Sequence, residues 1–138
     1  MAESLNHMEY VRRIVRYIPT ITEHYVSALL FSDLPESQTH PIAMSEGYRP
    51  DVFYQDSDMV VIGEAKTIND IENEHTFSQL SSYINEVRYF KKERHIIFCS
   101  SVTSFALLKN YLIRKKNKEH LHDIIFHVLD DVSKVAII

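Results

Sequence analysis

Apolar positions at the start of the chain recur at helical spacing. Met8, Val11, Val15 and Ile18 share one face and predict a helix over 5–18, which Pro19 interrupts. Thr20-Ile21-Thr22-Glu23 has the form of a capping box, with Thr20 as N-cap and Glu23 at N3, and predicts a second helix to about Phe31. Residues 32–41, rich in Ser, Asp, Glu, Gln and Pro, read as a loop. The pattern then changes to short apolar runs. Ile42–Glu46, Asp51–Tyr54 and Met59–Ala65 predict three strands, the last entered from the turn Gln55-Asp56-Ser57-Asp58. Residues 70–75 are polar and predict a loop.

A second capping box, Thr76-Phe77-Ser78-Gln79, opens a predicted helix to about Lys92 with Phe77, Leu80, Ile84 and Val87 on one face. The continuous apolar run of His95–Cys99 predicts a buried strand. Thr103 caps a helix to about Lys116 with Leu107, Leu108, Tyr111 and Leu112 inward, and Ile124–Leu129 and Val135–Ile138 close the chain as strands. Three strands followed by helix–strand alternation imply an α/β fold, a mixed sheet with helices on both faces, in one domain spanning 1–138. With only two glycines, Gly47 and Gly63, the chain lacks the glycine-rich phosphate loops of nucleotide-binding folds.

Composition agrees with a globular domain: 138 residues, 45% hydrophobic and 25% charged, with no apolar run of membrane-spanning length. The first residues show no secretion signal, and the single cysteine, Cys99, lies in an apolar run. A cytoplasmic location without membrane contact is therefore expected. Charge is distributed unevenly. From Arg88 to Lys118 nine basic residues face one acidic residue, Glu93. That formal +8 leaves −12 on the remainder of a chain whose total is −4. Arg88, Lys91, Lys92, Lys115 and Lys116 are thus candidates for phosphate contact, unless they only solvate helix ends. The eight histidines, densest at His120, His122 and His127, match no zinc framework.

One constellation carries chemistry: Arg49-Pro50-Asp51, twelve residues, then Glu64-Ala65-Lys66. On a strand Glu64 and Lys66 project to the same side, and Asp51, at the start of an antiparallel neighbour, can reach Glu64. Two converging carboxylates are costly unless a positive group neutralises them, and Mg²⁺ does so through one or two carboxylates and waters. Such a metal lowers the pKa of a bound water and stabilises phosphoryl charge, and Lys66 is placed to orient that water. The plainer alternative makes Asp51 and Glu64 solvated strand-end acids with Lys66 as ion partner. Arg49 contacts phosphate or pairs with Asp51 or Glu46.

Pro50-Asp51 and Glu64-Ala65-Lys66 resemble the motif of the PD-(D/E)XK nuclease superfamily, and the resemblance extends over most of the chain. The expected α-β-β-β-α-β order is similar to that family's restriction-endonuclease-like core, with residues 103–138 added. Gln79 and Tyr83 resemble the Gln-x-x-x-Tyr pattern of its RecB-like and lambda-exonuclease-like branches, where the pair lies near the active site. The resemblance implies Mg²⁺-dependent hydrolysis of DNA, with Mn²⁺ as a substitute. It implies metal binding by Asp51, Glu64 and the Ala65 carbonyl, and catalysis assisted by Lys66. It also implies a further glutamate from the first core helix, for which Glu23 and then Glu9 are the candidates. Gln79 and Glu23 equally fit caps, and Tyr83 equally fits packing. A non-catalytic nucleic-acid-binding or assembly module on the same fold is the rival reading, and a homodimer or larger nucleoprotein assembly is left open.

Overall fold

The computed structural model describes residues 5–67 and 74–138. Helix α1 (Leu5–Tyr17) is followed by a 3₁₀ turn at Ile18–Thr20, a second at Ser27–Leu29, and strands β1 (Leu30–Ser32), β2 (Val52–Gln55) and β3 (Met59–Ala65). Helix α2 (Glu74–Val87), strand β4 (Glu93–Ser100), helix α3 (Phe105–Glu119) and strands β5 (Ile125–Asp130) and β6 (Val135–Ile137) complete the order. The fold is α/β: six strands in chain order form one mixed sheet. β3, β4 and β5 run parallel, and the pairs β1–β2, β2–β3 and β5–β6 are antiparallel.

The central strand explains the two-layered core. All seven residues of β3 are buried, as expected for a strand covered on both faces. Val60 and Ile62 face a core shared with Leu80, Ile84 and Val87 of α2 and Leu108 and Leu112 of α3. Val61 and Ala65 face the opposite core, filled by Tyr10, Val11, Ile14 and Tyr17 of α1. Gly63 allows α1 to lie close. A Cβ there would stand 2.8 Å from Ile14 Cγ2 and 3.0 Å from Val52 Cβ. No described helix is long and apolar enough to cross a membrane.

Two expected elements are absent. The helix predicted from Thr20 is replaced by 3₁₀ turns and β1, because its polar groups find partners outside the segment. Thr20 Oγ1 donates backward to the Tyr17 carbonyl at 2.6 Å, Thr22 Oγ1 to Asp56 at 2.5 Å, and the Val26 N–H to the Tyr54 hydroxyl at 3.0 Å. Leu30–Ser32 then completes the sheet edge against Val52–Tyr54. The predicted strand at Ile42–Glu46 is instead coil ending in a turn, closed by Gly47 N–H to the Met44 carbonyl at 2.9 Å with Gly47 at φ +89°. Of the expected loop at 70–75, residues 70–73 lie outside the described residues. Glu74 and His75 already belong to α2, which begins two residues before the predicted cap at Thr76.

Candidate active site

The parallel strands end together at one rim of the sheet, the place where open α/β sheets present side chains to ligands. Glu64 is the penultimate residue of β3, and Lys66 follows its end, where its backbone N–H still bonds the Cys99 carbonyl of β4 at 2.9 Å. Asp51 directly precedes β2. Because Val52 pairs with Gly63, the antiparallel register brings Asp51 beside Glu64. Glu64 shares strand parity with Val60 and Ile62, so it points to the α2 side.

There the side chains form one network. The Asp51 N–H donates to Glu64 Oε2 at 3.1 Å, and the Ala65 N–H donates to Asp51 Oδ2 at 2.9 Å. From α2, Gln79 Nε2 donates to Glu64 Oε1 at 2.9 Å, while Gln79 Oε1 accepts from Lys66 Nζ. One turn later the Tyr83 hydroxyl donates to Glu64 Oε2 at 3.3 Å and accepts from Gln79 Nε2 at 3.2 Å. Spacing of i and i+4 puts Gln79 and Tyr83 on one helix face. Asp51, Glu64 and Lys66 are only 7%, 6% and 4% exposed, so they are not solvated strand-end charges. Gln79 lies within α2, which starts at Glu74, and its side chain is spent on Lys66 and Glu64 rather than on a cap.

Burial and then the neighbouring Asp51 carboxylate push the Glu64 carboxyl up to about 8, against the pull of Lys66 and the donated hydrogen bonds. Tyr83 is raised as well, by burial first and then by Glu64 and Asp51. Ionising both acids together would leave more negative charge than the single lysine offsets, so a bound cation would favour the ionised form of Glu64. The oxygen donors suit a hard divalent ion such as Mg²⁺, which keeps several of its waters. Among the described residues no three His, Cys, Asp or Glu side chains form a ready-made metal cage.

A residue that the sequence did not single out meets this network from the other face of the sheet. His7 Nε2 lies 3.2 Å from Asp51 Oδ1. Its only sequence signal is a position one turn before Val11, on the flank of α1 that turns to the sheet.

Other expected site residues are placed elsewhere. Glu23 is exposed in a non-helical segment whose neighbours, Thr22 and His24, bond Asp56 and Asp58 at the opposite end of β3. It is not brought to Asp51 and Glu64. Glu9 is paired with Arg12 at 2.8 Å. Arg49 is exposed near the site rim and lies 3.5 Å from Asp33 rather than pairing with Asp51 or Glu46.

The basic residues mostly serve the fold at the far rim. Arg88 pairs with Asp123 through Nε at 2.8 Å and Nη2 at 3.0 Å. Lys92 Nζ donates to Gln55 Oε1 and the Asp56 carbonyl, and Lys116 Nζ donates to the carbonyls of Ile124 and Ile138. Lys91 is exposed in the loop before β4. Lys115 is buried, paired with Glu119 at 2.6 Å and set 4.0 Å above the Phe77 ring. Charge counting could not see these partners, because Asp123, Gln55 and the accepting carbonyls meet the cations only through the sheet.

Comparison with known proteins gives no relative: no family model, no curated protein and no solved structure matches this chain.

Proposed function

We propose that this protein is a metal-dependent nuclease that hydrolyses phosphodiester bonds of DNA, as expected for a PD-(D/E)XK-like enzyme. The convergence of Asp51, Glu64, Lys66, Gln79 and Tyr83 into one buried network supports this reading. Five residues that a local motif pairs only by spacing meet as hydrogen-bonded neighbours.

In this reading Asp51, Glu64 and the Ala65 carbonyl hold Mg²⁺, or Mn²⁺ in its place, with His7 adjoining Asp51. The bound ion supplies an acidified water and positive charge at the phosphate. Lys66 orients the attacking water and offsets charge on the scissile phosphate, with its ammonium fixed by the Gln79 carbonyl oxygen. Gln79 serves as a positioning residue, since one amide holds Lys66 and Glu64 in register. Tyr83 fixes the Gln79 amide from the next turn. Arg49, exposed near this rim, is available to a phosphate.

The test compares wild type with Lys66→Ala on circular duplex, linear duplex and single-stranded DNA, in Mg²⁺, Mn²⁺ or EDTA. Cleavage that needs metal and disappears in the variant supports the proposal, and the substrate pattern tells whether an end is required. A folded wild-type protein that binds DNA but cuts none of the three would favour the non-catalytic module.

A further inference from the structure

Across α2 from the Glu64 network, a groove of about 530 Å³ runs between α2 and α3, lined by Phe77, Tyr111, Arg114, Lys115, Lys118 and Glu119. Its volume falls in the range of sites that enclose small ligands. Phe77 belongs to the apolar face that the sequence assigns to the core, yet it remains 50% exposed. Lys115 Nζ approaches its ring and is neutralised by Glu119. Arg114 and Lys118 are exposed and one turn apart on α3, so they stand on the same wall of the groove. The lining thus combines two aromatic rings with three cations and one acid.

We propose that this groove holds an unpaired nucleotide of a nucleic-acid strand, with its base against Phe77 and its phosphates near Arg114 and Lys118. The inference rests on the nuclease reading for its substrate class and names a strand-binding site for it. Aromatic surface takes a base of any identity, and flanking cations follow the backbone. A duplex keeps its bases stacked inside and offers none to a concave groove, so the chemistry selects a single strand. Phe77 precedes Gln79 by two residues on α2, so the groove and the candidate catalytic network share that helix's first turns.

Fluorescence anisotropy with a labelled oligothymidylate in EDTA measures binding without turnover. Phe77→Ala should weaken binding about tenfold, while Phe77→Trp, which keeps a ring, should retain it. Lys118→Glu, at an exposed position, should weaken binding and flatten its salt dependence by about one counterion or more. Binding of duplex DNA should not respond to Phe77→Ala. A wild type that fails to bind the strand, or variants that bind it as wild type does, overturn the groove. Cleavage assays on the same proteins keep the two readings apart. Binding lost in the variants with no cleavage by wild type sustains the groove and sinks the nuclease, and cleavage with unchanged variant affinity does the reverse.

Discussion

Asp51 gives its backbone N–H to the Glu64 carboxylate at 3.1 Å, while its own carboxylate accepts the Ala65 N–H at 2.9 Å. Each acid thus accepts a main-chain N–H, in addition to the side-chain contacts from Gln79 and Tyr83 to Glu64 and from His7 to Asp51. In the proposed metal site such a pair would be preorganised for a cation, because little conformational freedom would be left to lose on binding.

Metal binding should stabilise the protein. Mg²⁺ at about a hundredfold over its dissociation constant should add ~2.7 kcal/mol, raising the thermal midpoint by several degrees. Asp51→Asn should abolish most of that shift. Thermal melts with Mg²⁺ and with EDTA check this, and equal midpoints in wild type would remove the support for a metal site.

Gln79→Leu should both destabilise the protein and slow cleavage. It leaves the buried Lys66 ammonium without the Gln79 oxygen and removes a donor from Glu64. A loss of about 1–3 kcal/mol is expected from a urea midpoint. Tyr83→Phe, which keeps the ring and the Gln79 amide, should cost less. A Gln79→Leu protein as stable and active as wild type would show that the bridge is incidental.

Acid stability should depend on His127. Tyr17 O–H to His127 Nδ1 at 2.8 Å, His127 Nε2 to His95 Nδ1 at 2.7 Å and His95 Nε2 to Glu93 at 2.6 Å form a chain with one consistent donor direction when both rings are neutral. Burial, then His95, lowers His127 to about 3. The unfolded chain binds its proton near pH 6.5, so this contribution is complete above that pH and is lost as pH falls towards 3. The slope is at most about 1.4 kcal/mol per pH unit. Glu64 and His24, both raised, act with the opposite sign, so the measurement is the difference between wild type and His127→Gln. Parallel pH profiles for the two proteins would contradict the prediction.

Gly63→Ala should destabilise by about 1–3 kcal/mol through overpacking. Its new methyl would meet Ile14 Cγ2 at 2.8 Å and the Val52 Cβ at 3.0 Å. The urea midpoint should fall, and an unchanged value would mean that α1 can shift without cost.

Much of the sheet was legible locally. The apolar run at Met59 fixed β3 as a buried strand, and the runs at His95 and Ile124 located β4 and β5 to within two residues. The candidate site was legible where one motif spans one strand, as for Glu64 and Lys66. Thr20 and Glu23 misled because a capping box is only a local preference, overridden when Thr22 finds Asp56 and Val26 finds Tyr54.

The sequence by itself determined the α/β class, the central strand and the shared face of Glu64 and Lys66, because strand alternation and apolar runs act over a few residues. It offered Asp51 as able to reach Glu64, which the β2–β3 register then brought about. Only the tertiary structure decided that Leu30–Ser32 forms the sheet edge, that His7 meets Asp51, and that Arg88, Lys92 and Lys116 serve the far rim. Each of those outcomes depends on a partner tens of residues distant, and burial and hydrogen bonding select that partner only once the sheet has formed.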